Sequence, residues 1–128
     1  MPDDEDVNEL TRLWWKGASE DLHAAKLCRH IPSACCFHCQ QAVEKAIKAL
    51  LVSQQKDFSK THDIDDLLDL LRATHNSPPE DVVGGLDDLT RFAVETRYPP
   101  AEATPEEAKD ALHKAENFLL WVGSALPR

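Results

Sequence analysis

Apolar residues recur along this chain at spacings of three and four, the period that lines one face of an α-helix. No stretch alternates apolar and polar residues with the β-branched enrichment of a strand. Leu10, Trp14, Ala18, Leu22 and Ala25 mark a first helix from about Val7 to Cys28. The turn Arg29-His30-Ile31-Pro32 stops it, because proline cannot continue the hydrogen-bond ladder. Ser33 is read as the N-cap of a second helix reaching about Gln54. Its apolar positions (Ala34, Cys35, Cys36, Phe37, Cys39, Ala42, Val43, Ala46, Ile47, Leu50 and Leu51) cover most of the circumference. A helix this apolar belongs at the centre of its bundle or at an interface.

A loop from Lys56 to His62 leads to a short third helix with Ile64, Leu67, Leu68 and Leu71, capped by Thr61 or Asp63. Asn76-Ser77-Pro78-Pro79 breaks the chain before a fourth, with Val82, Val83, Leu86, Leu89, Phe92 and Ala93 facing inward. Gly84-Gly85 falls inside it, at about 1 kcal/mol per glycine relative to alanine, which predicts a kink or a delayed start. Arg97-Tyr98-Pro99-Pro100 predicts an extended segment. Thr104-Pro105-Glu106-Glu107 then combines an N-cap, a proline at the first helical position and a capping-box glutamate. Ala108, Ala111, Leu112, Ala115, Phe118, Leu119 and Val122 give the last helix its inner face. The expected fold is all-α: one domain over residues 1–128, an antiparallel bundle of about five helices, four long and one short. Residues 1–6 are expected as a flexible acidic tail.

Composition narrows the class. At 42% hydrophobic residues the chain is globular rather than disordered. No apolar run approaches the roughly 20 residues of a membrane helix. The acidic N-terminus is the opposite of a secretory or transit signal, so a cytoplasmic location is expected, away from membranes. The net charge of −9 excludes non-specific wrapping of nucleic acid. The charge is uneven, however. From Leu22 to His62, Lys26, Arg29, Lys45, Lys48, Lys56 and Lys60 face only Glu44 and Asp57, so this window allows a local anion site.

Several groups of residues are candidates for chemistry. Cys28, Cys35, Cys36 and Cys39 include a CxxC, but it lies inside a predicted helix and lacks the second pair a zinc site needs. Packing is the expected role, and no metal or cofactor is expected. On the second helix Gln40, Glu44 and Lys48 share one line, with Gln41 and Lys45 on the next. That strip is either a solvated stripe with a Glu44–Lys48 pair or the border of a groove or subunit contact. Asp21, near the inner edge of the first helix, needs a cationic partner from a neighbouring helix or shapes a polar pocket. Lys60-Thr61-His62-Asp63 puts a cation and an imidazole at a helix start, a capping signature that also suits an anion. Arg97 offers a bidentate anion contact and Tyr98 a stacking face, unless they form an ion pair and an aromatic plug.

Taken in order, Asp21-Leu22, then Ala34, Phe37 and Gln40 to Leu51, then Lys60-Thr61-His62-Asp63-Ile64 with Leu67-Leu68, and Arg97-Tyr98-Pro99 resemble the HEPN domain (higher eukaryotes and prokaryotes nucleotide-binding). The resemblance covers nearly the whole chain. It implies a bundle of four or five helices, a homodimer formed through helix faces, and often a minimal nucleotidyltransferase partner in a toxin–antitoxin-like pair. Many relatives are metal-independent ribonucleases with an Arg-x(4–6)-His motif. Here Arg12, Arg29, Arg72, Arg91 and Arg97 have no histidine at that downstream spacing, so the chain resembles the Arg-Tyr-Pro branch and no catalytic residue is assigned. The expected function is binding of a nucleotide or RNA-like anion, a nucleotidyltransferase partner, or both. The candidate site comprises Gln41, Glu44, Lys45, Lys48, His62, Arg97 and Tyr98, with the lysines and Arg97 on phosphate and Tyr98 stacking. The alternatives are a ribonuclease whose Arg97 meets His38, His62 or His113 from another helix, and a ligand-free assembly protein.

Overall fold

A computed structural model describes residues 3–93 and 102–127. The architecture is all-α. Helix α1 (Asp4–Leu27), α2 (Pro32–Ser53), α3 (Ile64–Arg72) and α4 (Glu80–Val83) are followed by a 3₁₀ segment (Leu86–Ala93) and α5 (Pro105–Ala125). Three helices are long. The expected fourth long helix is divided, because the chain leaves α4 at Gly84 and passes through Gly85 with φ +81°. A Cβ at Gly85 would also lie 2.8 Å from Lys114 Nζ, which the end of the lysine chain can relieve by moving, so it is the positive φ that calls for glycine there.

Local chemistry explains the boundaries. α1 starts earlier than its apolar pattern does. Asp3 accepts a hydrogen bond from Asp6 N at 2.8 Å, and Asp4, Glu5 and Asp6 fill the first turn, where carboxylates favour the helix dipole. Residues 4–6, expected in a flexible tail, are thus helical. Ser33 is not the cap of α2; Ile31 takes that position with Pro32 following. The Ser33 hydroxyl instead accepts from Ala103 N, tying the start of α2 to the approach to α5. Of the two caps expected at α3, Asp63 holds the position and accepts from Asp65 N and Asp66 N, while Thr61 accepts only from Asp63 N ahead of the helix. The Thr104–Glu107 capping box is present in both directions. Replacing Thr104 by alanine is expected to cost about 1 kcal/mol, read as a lower midpoint in urea.

α2 is the central element. It packs against α1, α3, the 3₁₀ segment and α5, as its all-round apolar pattern requires. Ile47, Leu50 and Leu51 are fully buried on it, and Ile64, Leu67, Leu71, Leu86, Leu89 and Phe118 close around them. Within the described residues no helix is long and apolar enough to cross a membrane. On α1 the inner stripe holds at Ala18 and Ala25 but opens toward the N-terminal end, where Leu10 is 48% exposed.

Candidate functional site

The polar line on α2 faces inward. Gln40, Glu44 and Lys48 are all buried, so the solvated-stripe reading of this line fails. Their polar atoms escape the cost of burial by meeting one another. The Glu44 carboxylate accepts from Lys48 Nζ at 3.0 Å and from Gln40 Nε2 at 3.0 Å, and it meets His62 Nδ1 at 2.9 Å. Gln40 Nε2 also reaches the His62 carbonyl at 3.3 Å, while its Oε1 accepts from Gln41 Nε2 at 2.6 Å. Four residues of α2 and the loop before α3 thus share one network.

Two opposing effects act on Glu44. Burial pushes its carboxyl up, but the hydrogen bonds from His62, Gln40 and Lys48 and the Lys48 charge outweigh this and hold it below the ordinary carboxylate range. An ionised carboxylate can only accept, so His62 Nδ1 carries the proton. Nε2 is then the outward-facing valence of a side chain that is 69% exposed. Because the folded-state value is depressed, the stabilisation is fully present above the unfolded carboxyl's pKa. It is lost as pH falls through the lower folded value. Glu44→Gln is therefore expected to flatten the acid limb of a stability-versus-pH profile, measured by thermal denaturation.

Lys48 has a second set of neighbours. Its ammonium lies 5.3 Å from the Trp14 ring centroid and 5.5 Å from that of Phe58, and the two rings meet edge to face at 6.1 Å. Lys48 is therefore held between aromatic faces on one side and Glu44 on the other. Its charge is balanced internally.

The adjacent line carries a parallel arrangement. Asp21 of α1 accepts from Lys45 Nζ at 2.6 Å through one oxygen and meets His38 Nδ1 at 2.9 Å through the other. The expected cationic partner of Asp21 is thus Lys45, with His38 added. Gly17 makes room for it: a Cβ there would sit 3.3 Å from Lys45 Cδ, where the lysine stem crosses α1. Where α2 meets α1 and the 54–63 loop there are therefore two carboxylates, two lysines paired with them, and two imidazoles held through Nδ1.

The structure brings together Gln41, Glu44, Lys48 and His62 in one network, and sets Lys45 in the neighbouring one. Arg97 and Tyr98 lie outside the described residues. His113 is on an exposed part of α5 beside Asn117. Trp14 and Phe58 were not legible as site residues: Trp14 fits the apolar stripe of α1, and Phe58 stands alone in a loop without periodicity. The cysteines pack. Cys35, Cys36 and Cys39 are buried and all four are unpaired by disulfides. Burial pushes the Cys36 thiol up to about 12, which suppresses the reactive thiolate. Among the described residues no group of histidine, cysteine and carboxylate side chains is arranged to hold a metal.

A family model described as the HEPN domain matches residues 11–125. The chain belongs to the HEPN family. Two solved structures place this HEPN chain among known folds. The Thermus thermophilus protein TT1696 shares 31% identity with a TM-score of 0.78. ST0689, an archaeal HEPN homologue, shares 28% identity with a TM-score of 0.73. Each comparison covers 91% of this chain and 98% of the other. A search of curated proteins found no match.

Proposed function

We propose that this HEPN chain is a non-catalytic binding module. It takes a nucleotide or RNA-like anion at the polar strip of α2, self-associates, and acts as partner of a minimal nucleotidyltransferase in a toxin–antitoxin-like pair. The observation that carries the anion reading is the His62–Glu44–Lys48 network. Lys48 already balances Glu44, and the His62 imidazole, held to Glu44 through Nδ1, leaves its Nε2 edge exposed to a ligand. Lys60, two positions before His62, is exposed and adds a cation, while the N-terminus of α3 beyond is already capped by Asp63. Arg97 and Tyr98 remain candidates for phosphate contact and base stacking. Lys45 is paired with Asp21 and would serve as a secondary contact.

The expected signature is affinity for nucleoside triphosphates or short RNA that His62→Ala weakens about tenfold, measured by isothermal titration. Lys48→Ala is a poor test, because it strands Glu44 in the interior.

One observation favours a second reading. His38 and His62 each hold a carboxylate through Nδ1, the arrangement that fixes an imidazole's tautomer for general acid or base work. A ribonuclease using either one predicts cleaved RNA that His38→Ala or His62→Ala leaves intact. A ligand-free assembly protein predicts a stable oligomer with neither binding nor cleavage.

A further inference from the structure

A cleft of about 830 Å³ opens between the first half of α1 and the end of α2 with its following loop. Its walls are Val7, Leu10, Trp14, Val52 and Phe58, and its rim carries Asp6, Asp57 and Lys56. The volume is that of a ligand site rather than a packing defect. Leu10, in its wall, is half exposed, which leaves an apolar surface next to the opening. The rim decides what fits. Asp6 and Asp57 outnumber Lys56, and Asp3, Asp4 and Glu5 stand at the same end of α1. A phosphate-bearing ligand would meet repulsion here, so this cleft is not the anion site of the α2 strip.

We infer that the cleft docks a basic amphipathic segment of a partner protein, with one or two apolar side chains seated against Leu10, Trp14 and Phe58 and lysines or arginines over Asp6 and Asp57. Helix-in-groove recognition has this form: apolar anchors supply affinity, and complementary rim charges supply rate and orientation. The cleft shares Trp14 and Phe58 with the Lys48 contact, so an occupant would press on the rings that hold Lys48 in place.

The test uses the full chain and a synthetic helical peptide of leucine and lysine with one apolar face. Controls are the same peptide with glutamate for lysine and a scrambled leucine–lysine sequence. Binding is read by isothermal titration at two salt concentrations. The wild type should bind the amphipathic basic peptide, and the two controls at least about tenfold more weakly. Leu10→Lys places a positive charge in the cleft at a half-exposed position that folding tolerates. It should weaken binding about tenfold, whereas Leu120→Lys on exposed α5 should leave it unchanged. Asp6→Asn with Asp57→Asn should weaken it about threefold and reduce its salt dependence.

The inference is overturned if the basic peptide does not bind, if Leu10→Lys binds it as well as wild type, or if Leu120→Lys weakens it equally. It is also overturned if Leu10→Lys instead abolishes self-association, which would make the cleft a contact between copies. Nucleotide titration of Leu10→Lys keeps the two proposals separate, since loss of peptide binding should leave anion binding at the α2 strip intact.

Discussion

Replacing Glu44 by alanine is expected to destabilise the protein by roughly 3–5 kcal/mol, the largest loss for any polar side chain described. The reason lies in what remains rather than in what leaves. Lys48 would stay in the interior with its side chain 8% exposed and no carboxylate opposite it. Gln40 would keep only the His62 carbonyl as acceptor for its amide, and His62 would lose its anchor. The Trp14 and Phe58 faces offset part of this through cation–π attraction, which is worth roughly 2 kcal/mol for a desolvated cation. Glu44→Leu combined with Lys48→Met removes both charges and should recover most of the stability, because an apolar pair of similar size avoids the desolvation penalty. Urea denaturation of the three proteins measures this. A single mutant as stable as the double would mean that Lys48 reaches water and that the network is not a buried one.

Phe118→Ala is expected to cost a comparable amount, roughly 3–5 kcal/mol, by a different mechanism. Phe118 is fully buried on α5, in the core built around α2, and its ring also meets Trp121 at 6.0 Å. Truncation leaves a cavity that close-packed neighbours cannot collapse to fill. Two residues along the same helix, Leu120 is 75% exposed, and its replacement by alanine should change stability by no more than about 0.5 kcal/mol. The contrast, read from midpoints in urea, tests the orientation of α5 directly. Equal effects at both positions would mean that the helix is rotated or that Leu120 is covered in solution.

The helices were legible because their signals are local and redundant. α5 announces itself through Thr104, Pro105 and Glu107 before a single packing contact is considered. The central place of α2 follows from apolar positions on nearly every side. What escaped the sequence is what depends on neighbours far along the chain. Ser33 has the chemistry of a cap, yet its hydroxyl is used by Ala103, seventy positions on. The broken fourth helix was foreseeable at Gly84-Gly85, but the 3₁₀ form of Leu86–Ala93 was not, since apolar spacing is compatible with either winding.

The candidate site was legible only in part. Four-residue spacing correctly joined Gln40, Glu44 and Lys48, but it could not say whether the line faced water or protein. Burial of the line depends on His62 coming back from a loop, and on Trp14 and Phe58 converging on Lys48 from segments that are distant in sequence. Asp21 announced its need for a cation without naming Lys45 or adding His38. Arg97 and Tyr98 were marked by their own chemistry and again by the family resemblance, and neither signal carries geometry.

The most direct test of the central claim is titration of wild type and His62→Ala with ATP, GTP and a short RNA. The RNA is recovered and run on a gel afterwards. The account predicts binding by wild type, about tenfold weaker binding by His62→Ala, and intact RNA throughout. Binding that is the same for both proteins would contradict the assignment of the α2 strip. RNA cut by wild type but not by His62→Ala would contradict the non-catalytic reading.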